Sequence, residues 1–327
     1  MIATIDGGTT NTRISIWQDG NIVSEASAAI GVRNTAMDGN SRQLVSAIHT
    51  ILMEAGQKIG SDDISLILAA GMLTSNVGIV EIPHITAPAD MDMLAASMVS
   101  RIIPDISEHP IWFVPGIKNM AETDIREDNI TDMDIMRGEE TETAGILAQY
   151  ALTGSTVLVL PGSHNKYIAL DAQQRIQGCM TTLAGELLHS LTFDTILADT
   201  VEQSFADSFE PEAFERGVAY RRKLGIGHAL FMARILDLFC GCSPLQAQNY
   251  LLGLLLEDDL LSLKSSHLSQ EAEQADFIVA GKLILQQAYQ WLLQAEGRQV
   301  RLVPAEQQRC LSGRGAIALA KRRGLLD

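Results

Sequence analysis

Residues 1–13 read MIATIDGGTTNTR, and the predicted fold follows from this stretch. An apolar, strand-like segment leads into Asp6 and a Gly7-Gly8 turn, and a second strand begins at about Thr12. Glycine lets backbone N–H groups approach an anion closely, and the Thr9-Thr10 hydroxyl groups add donors. A carboxylate beside such donors holds a metal ion directly or through water. The stretch therefore predicts a phosphate-binding hairpin, and an ordinary turn that contains Gly-Gly is the simpler alternative.

Composition and charge limit the classes of partner. Of the 327 residues, 46% are hydrophobic and 20% are charged, and the formal net charge is −16. This length predicts two domains, and the acidic balance argues against nucleic acid or an anionic membrane as the main partner. No Lys/Arg-led apolar leader precedes the first strand, and no apolar run reaches 18 residues. We therefore expect a soluble, cytoplasmic protein, for which homo-oligomerisation stays open.

The second half of the chain repeats the architecture of the first. A strand over 156–160 is followed by a polar turn over 161–166 and a returning strand over 167–170, and helices begin near residue 186. Two such turns facing each other across a cleft would clamp a polyphosphate, and the second turn adds positively charged groups. A composition change near residues 153–155 marks the predicted boundary between domains 1–152 and 153–327, and the last helix is expected near the domain interface.

Three further segments carry candidate ligand contacts. The apolar run 64–70 predicts a buried central strand that ends in the loop 71–78, and ligands bind where such strands end. Residues 138–143 place several carboxylates in the first turn of a helix. They either complement the helix dipole or supply a general base that faces a cleft. Residues 277–281 form a strand–glycine junction, which presents free N–H groups before a helix.

Six landmarks, in this order, resemble the 2-dehydro-3-deoxygalactonokinase family of the actin/sugar-kinase/heat-shock-protein superfamily. They are Asp6-x-Gly-x-Thr-Asn-x-Arg13, Ala70-Gly-Met72, Ser75-Asn-Val-Gly78, Met136-Arg-Gly-Glu-Glu-Thr141, Pro161-Gly-x-His-x-Lys166 and Leu183-x-Gly-Glu-Leu187. The resemblance runs from residue 2 to about residue 320. Gly7 and Asn165 depart from the family pattern, and neither departure removes a charge that the mechanism needs.

The resemblance implies an α/β fold of two ribonuclease-H-like (actin-like ATPase) domains, with mixed sheets flanked by helices and ATP in the interdomain cleft. Domain 1–152 would carry the first phosphate loop and the sugar-acid pocket, and domain 153–327 the second phosphate loop and the adenosine side. The implied enzyme is a phosphotransferase that uses ATP and Mg²⁺. It would phosphorylate the terminal 6-hydroxyl of 2-dehydro-3-deoxy-D-galactonate in galactonate catabolism.

The resemblance also implies roles for individual residues. Glu139 is expected to be the general base, with Glu140 as the alternative, and Asp6 is expected to hold Mg²⁺ through water. The expected ATP phosphate contacts are Gly8, Thr9, Thr10, Asn11, Gly162, Ser163, His164 and Lys166, and Gly281 is expected on the adenosine side. The expected substrate contacts are Arg13, Gly71, Met72, Ser75, Asn76 and Arg137. Arg13, Arg137 and Lys166 are candidates for pairing with the substrate carboxylate, and Arg137 is the first choice.

Two other functions stay open. One is the same chemistry on another sugar or sugar acid, such as gluconate or a ketose, because pocket shape decides that choice. The other is a non-catalytic ATP-binding sensor or regulator. The sequence shows no basic helix-turn-helix segment and keeps a cleft-side carboxylate pair, which argues against the sensor. A nicotinamide dehydrogenase is disfavoured because no GxGxxG follows the first strand.

Overall fold

The computed structural model describes residues 1–60 and 64–326. The strands are β1 (Ile2–Gly7), β2 (Thr12–Gln18), β3 (Asn21–Ala28), β4 (Leu66–Gly71), β5 (Ile85–Thr86), β6 (Val99–Ile103), β7 (Ser107–Phe113), β8 (Ile117–Lys118), β9 (Ile135–Met136), β10 (Thr156–Leu160), β11 (Asn165–Leu170), β12 (Ile176–Thr182), β13 (Asp276–Val279) and β14 (Val300–Leu302). The helices are α1 (Val32–Asp38), α2 (Arg42–Lys58), α3 (Met91–Ala96), α4 (Glu139–Leu147), α5 (Ala184–Phe193), α6 (Pro211–Leu224), α7 (Ile226–Cys240), α8 (Pro244–Ser265), α9 (Ser269–Gln274), α10 (Leu283–Ala295), α11 (Ala305–Gln308) and α12 (Leu311–Arg322).

The chain divides into two units. The first consists of Met1–Thr153, Gln174–Gly178 and Arg309–Asp327, and the second of Gly154–Gln173 and Cys179–Gln308. The division after Thr153 lies one residue from the predicted boundary. Over the residues that the structure describes, no helix is both long enough and apolar enough to cross a membrane.

The first unit is built on a mixed sheet with the strand order β3-β2-β1-β4-β7-β6. β1 pairs antiparallel with β2, and β4 pairs parallel with both β1 and β7. All six residues of β4 are buried, as a central strand requires. Apolar side chains of α2 pack against this sheet, among them Leu44 and Ile48. Because β1 and β4 are parallel, Gly7 pairs with Gly71, and the loops that follow both strands emerge at one edge.

The C-terminal helix α12 belongs to the first unit, although the sequence prediction grouped it with domain 153–327. Two glycines explain this placement. A Cβ at Gly313 would lie 2.7 Å from Thr4 Oγ1, and a Cβ at Gly315 would lie 2.8 Å from the backbone nitrogen of Gly145 in α4. Only glycine therefore lets α12 pack this closely on β1 and α4. The Arg314 guanidinium also lies over the Trp17 ring, 5.4 Å from its centroid.

The second unit repeats this design with the strand order β12-β11-β10-β13-β14. β10 pairs antiparallel with β11 and parallel with β13, so the hairpin-plus-parallel pattern of the first unit recurs. α6 and α8 pack tightly because Gly253 faces the backbone of Phe214. The predicted α/β class, with mixed sheets flanked by helices, is confirmed in both units.

Candidate active site

The first loop (residues 8–11) joins β1 to β2 and is closed by one bond, from the Gly8 N–H to the Asn11 carbonyl oxygen at 2.8 Å. Thr9, Thr10 and Asn11 are exposed. Within the described part of the chain, their backbone N–H groups donate no hydrogen bond. These donors are therefore available to an anion such as a phosphate. The predicted phosphate contacts of this loop thus have free donors, and their role stays a prediction.

Helix α1 begins on the first loop. The Val32 N–H donates to the Gly8 carbonyl oxygen at 3.2 Å, and the Arg33 N–H donates to the Thr9 carbonyl oxygen at 2.9 Å. A Cβ at Gly31 would lie 2.6 Å from the Gly8 oxygen, so a side chain there would push the loop away. The start of α1 therefore holds the carbonyl groups of Gly8 and Thr9, and the N–H groups of residues 9–11 stay available to other partners.

Asp6 lies at the end of β1, directly opposite Arg13 on β2. Burial raises the pKa of the Asp6 carboxyl, the charge of Glu139 raises it further, and Arg13 lowers it. Among the described residues, no group of three or more His, Cys, Asp or Glu side chains is arranged to hold a metal ion. One carboxylate beside a phosphate loop nevertheless suits Mg²⁺, which takes most of its ligands from phosphate and water. Asp6 is therefore consistent with the predicted magnesium role.

The loop that follows β4 touches the end of β1 through glycine. Gly71 has a φ of +78°, and a Cβ there would lie 2.6 Å from the Gly7 carbonyl oxygen and 3.4 Å from Asp6 Oδ1. Ser75 is buried and its hydroxyl donates to the Met72 carbonyl oxygen at 2.7 Å. Asn76 is exposed. Of the predicted substrate contacts in this loop, Asn76 thus offers an exposed side chain, whereas Ser75 holds the turn together.

The N-terminus of α4 gives its first two carboxylates different environments. Glu140 is 0% exposed, and its carboxylate accepts the Gly138 N–H at 2.8 and 3.0 Å and the Thr141 hydroxyl at 2.9 Å. Burial raises the pKa of Glu140 to about 8, and the charge of Glu139 adds to the rise. Glu139 is partly exposed and accepts the Arg137 N–H at 2.9 Å. Glu140 is therefore folded back on its own helix start, and Glu139 is the better candidate to meet a substrate.

Glu142 was not among the predicted site residues. Burial raises the pKa of its carboxyl to about 8, and the charges of Asp6, Glu139 and Glu140 act in the same direction. Glu142 therefore forms a cluster of carboxyl groups in the first unit together with Asp6, Glu139 and Glu140. Its spacing of three residues from Glu139 places both on one helical face, and this was the signal available in the sequence.

Arg137 lies against the segment that follows β4. Its guanidinium donates to the Thr74 hydroxyl and to the Ile82 carbonyl oxygen at 3.0 Å, and lies 3.2 Å from His84 Nδ1. Burial lowers the pKa of Arg137, and the charges of Glu140 and Glu81 oppose this shift. Arg137 and the loop 71–78 were predicted as substrate contacts from separate sequence features. The structure places them in contact with each other.

The second loop (residues 161–164) joins β10 to β11. The Gly162 N–H donates to Asn165 Oδ1 at 3.1 Å, and the Glu186 N–H donates to the Ser163 carbonyl oxygen at 3.0 Å. Within the described residues, the backbone N–H groups of Ser163 and His164 donate no hydrogen bond. His164 Nε2 lies 2.9 Å from Glu186 Oε1 on α5. Ser163 and His164 therefore offer the free N–H groups of this loop, whereas the Gly162 N–H is taken.

Lys166 differs from its predicted environment. It lies within β11 rather than in the turn, it is 6% exposed, and its ammonium donates to Thr181 Oγ1 at 2.5 Å. The side chain therefore packs against the sheet. A phosphate contact by Lys166 stays a prediction, and it requires a change of partner.

A cavity of about 690 Å³ opens beside the second loop. Gly162, Gly185 and Lys282 lie along it, and apolar residues of α8 and Phe205 extend it. This volume and its largely apolar lining are typical of a small-molecule site. Gly281 packs against the Pro161 ring and does not line the cavity, and its N–H donates to Gln308 Oε1 at 2.6 Å. Lys282, rather than the predicted Gly281, therefore lines the cavity.

The repeated mixed sheets and their glycine loops define the actin-like ATPase class, to which sugar kinases belong. A crystal structure of a candidate N-acetylglucosamine kinase from Porphyromonas gingivalis has this fold, with a TM-score of 0.50 at 12% identity over 98% of both chains. The chain belongs to the 2-keto-3-deoxy-galactonokinase family, whose model matches residues 6–314.

Two relatives agree with this family. A curated 2-dehydro-3-deoxygalactonokinase from Escherichia coli is 28% identical over 304 residues, which cover 92% of each chain. A crystal structure of a candidate 2-dehydro-3-deoxygalactonokinase from Sinorhizobium meliloti is 26% identical, covers 98% of each chain and has a TM-score of 0.75. The family predicted from six sequence landmarks is confirmed.

Proposed function

We propose that this chain transfers the γ-phosphoryl group of ATP to the 6-hydroxyl of 2-dehydro-3-deoxy-D-galactonate, a step of galactonate catabolism. Family membership supports the class of reaction, and the placement of Glu139 beside Asp6 supports the chemistry. The charge of Glu139 raises the pKa of Asp6, so the general-base candidate and the magnesium candidate lie close together. An ATP-consuming catabolic step belongs in the cytoplasm, and we place it there.

The transfer requires a base at the acceptor hydroxyl. In the proposed step, the bond from O6 to the γ-phosphorus forms while the bond from that phosphorus to the ADP oxygen breaks, and its electron pair leaves with ADP. The hydroxyl proton passes to the Glu139 carboxylate. Such base catalysis contributes about 10²–10⁴ in rate. Glu140 is a poor substitute, because its carboxylate is fully buried and bonded to Gly138.

ATP and Mg²⁺ suit the groups that each unit presents by itself. Mg²⁺, held by Asp6 through water, would neutralise charge on the β- and γ-phosphates. The free N–H groups of residues 9–11 suit the terminal phosphates, and the free N–H groups of Ser163 and His164 also suit a phosphate. The cavity beside the second loop has room for adenosine. Its apolar wall on α8 suits the face of a nucleobase.

The substrate carboxylate needs a cation in a half-buried environment. Arg137 is half-buried and is held by Thr74 and Ile82 near the loop that follows β4. A guanidinium pairs with a carboxylate through two parallel hydrogen bonds. Arg137 would therefore select acids over neutral sugars, and Arg13 and Asn76 would contribute from neighbouring segments.

ADP release with Mg-ATP, measured against a panel of acceptors, tests this function. The panel holds 2-dehydro-3-deoxygalactonate, its gluconate epimer, gluconate, galactonate, glycerol and common hexoses, with a no-acceptor control for ATP hydrolysis. Turnover mainly on the 2-oxo-3-deoxy acids is the expected result. Turnover on a neutral sugar would keep the kinase and remove the role of Arg137. ATP binding without any turnover would favour a sensor.

A further inference from the structure

A buried polar cluster lies beneath the second loop and is centred on Asp259 of α8, which is 4% exposed. One oxygen of this carboxylate, Oδ2, accepts several hydrogen bonds. The donors are Asn165 Nδ2 at 2.8 Å and Thr182 Oγ1 at 2.9 Å. The Tyr167 and Tyr289 hydroxyl oxygens lie 3.3 and 3.4 Å from the same atom and 2.8 Å from each other, so one hydroxyl donates to the other and the remaining proton is directed at Asp259. Side chains from β11, β12 and α10 thus converge on one atom of α8.

Asn165 connects this cluster to the loop. Its Oδ1 accepts the Gly162 N–H at 3.1 Å, while its Nδ2 donates to Asp259 and to the Tyr289 hydroxyl at 3.0 Å. A carboxamide has one accepting end and one donating end. An ionised carboxylate only accepts, so Asp259 holds the NH₂ end and leaves the oxygen end for Gly162. A flipped amide would place two donors against each other at Gly162.

The Asp259 carboxylate costs free energy when it is ionised in this buried position. Among the described residues, no Lys, Arg or His side chain forms an ion pair with Asp259, whereas its neighbours Asp258 and Glu257 pair with Arg221 and Arg222. Burial raises the pKa of Asp259 to about 6, the charge of Asp258 raises it further, and hydrogen bonds from Asn165, Thr182 and Tyr167 lower it. A buried charge without a cation is destabilising. A role in the function explains its retention better than a role in stability does.

We propose that Asp259 is a positioning residue for the second loop: through Asn165 it fixes Gly162 and thereby keeps the N–H groups of Ser163 and His164 directed at the phosphates of a nucleotide. The inference rests on the proposed function only in assigning phosphate to this loop. It needs no particular sugar acid. The role is not catalytic, because Asp259 is buried beneath the loop and acts through another side chain.

Calorimetric titration of the full chain with Mg-ADP tests the inference, with Asp259→Asn as the main variant. The carboxamide of Asp259→Asn can still accept a hydrogen bond but carries no charge. A hydrogen bond to a charged group is stronger than one to a neutral group by about tenfold in an equilibrium constant, so Asp259→Asn should weaken Mg-ADP binding ~10-fold at pH 7.5. Its melting temperature should not fall, because the substitution removes a buried charge. Asp258→Asn is the matched control, since it removes the same charge one residue away, where the carboxylate pairs with Arg221 and forms no hydrogen bond to Asn165.

The pH dependence adds a readout that a purely structural role would not give. Protonation removes the accepting charge, so the advantage of wild type over Asp259→Asn should shrink as the pH falls from 7.5 towards 5.5. The ligand's own titration is common to both proteins and cancels in the ratio of their affinities. The other titratable groups at Asp259 are Tyr167, Tyr289 and Asp258. Burial keeps the pKa of both tyrosines well above 10, so they stay neutral in this range.

The outcomes separate this inference from the proposed function. Wild-type affinity in Asp259→Asn, or an equal loss in Asp258→Asn, would overturn the positioning role. If Asp259→Asn does not fold, Tyr289→Phe serves instead. It removes one hydroxyl from the same cluster and should weaken Mg-ADP binding about threefold, whereas unchanged affinity would count against the role. Wild-type binding of Mg-ADP without phosphorylation of any acceptor would remove the proposed function alone. Absence of Mg-ADP binding in wild type would remove both.

Discussion

Replacing Gly185 by alanine should displace the second loop and reduce kcat/KM for Mg-ATP about 100-fold. Gly185 is the second residue of α5, and its Cα faces the loop backbone. A Cβ there would lie 2.7 Å from the Ser163 carbonyl oxygen and 2.9 Å from Ser163 Cα, with the Gly162 oxygen closer still. The first distance is 0.7 Å short of the 3.4 Å at which ordinary contact begins. Because all three neighbours are backbone atoms, the loop itself must move by this amount or more. Misplacement by about 1 Å costs roughly 10² in rate.

Steady-state kinetics with varied Mg-ATP measure the effect as kcat/KM, and a thermal melt shows whether the variant is folded. Gly227→Ala in α7 is the matched control, since nothing lies within 4 Å of its Cβ. That control should keep wild-type kinetics and be more stable by about 0.5 kcal/mol, because alanine favours a helix over glycine. A folded Gly185→Ala variant with wild-type kcat/KM would show that the loop's position does not matter, and the reasoning would fail.

Four substitutions in the first unit test the remaining assignments. Glu139→Gln should leave Mg-ADP affinity unchanged and reduce turnover by at least ~10², and near-normal turnover would move the base to Glu140. Asp6→Asn should raise the Mg²⁺ concentration needed for half-maximal activity, and an unchanged requirement would remove Asp6 as the magnesium residue. Arg137→Met should raise KM for the sugar acid about 10–100-fold with little effect on KM for ATP; an equal rise in both would indicate a general loss of structure. Glu140→Gln should become more stable relative to wild type as the pH rises from 5 to 8. Folding raises the pKa of the wild-type carboxyl from 4.5 to about 8. The free energy of unfolding of wild type should therefore fall by up to about 1.4 kcal/mol per pH unit between these values. Urea unfolding at pH 5 and 8 measures this difference, and the opposite slope would contradict the burial of Glu140 as the cause.

Local signals in the sequence were sufficient for the two hairpins and their loops. The Gly-Gly turn after Asp6 and the polar turn near residue 162 lie between strands, where the turn chemistry placed them. The start of α4 at Glu139 and the buried strand β4 also agree with the predicted elements. Each of these features depends on glycine, capping and apolar runs within about ten residues of chain.

Features that depend on distant packing were not predicted. Helix α1 is a short helix whose start bonds to the first loop, and no local sequence signal indicates that contact. α12 joins the first unit because Gly313 meets Thr4, about three hundred residues earlier. The apolar cavity lining on α5 and α8 has ordinary helical periodicity, which a helix packed in a core shows as well, so the sequence does not reveal the cavity. Lys166 is buried because β11 begins at Asn165, two residues before the predicted strand start.

The two loops have four residues each, but the strands that flank them pair with registers that differ by one residue, and this difference explains why Asn165 stands where it does. In the first hairpin Gly7 pairs with Thr12, whereas in the second Leu160 pairs with Lys166, which leaves one more residue between the paired positions. Each loop is closed by a bond from a glycine N–H to a carbonyl oxygen three residues later. In the first loop that oxygen belongs to the backbone of Asn11, and in the second to the side chain of Asn165. A backbone carbonyl is fixed by the chain itself, but a side-chain amide needs a partner to hold its other end. The second loop is therefore closed by the side-chain amide of Asn165 together with the acceptor that Asp259 supplies.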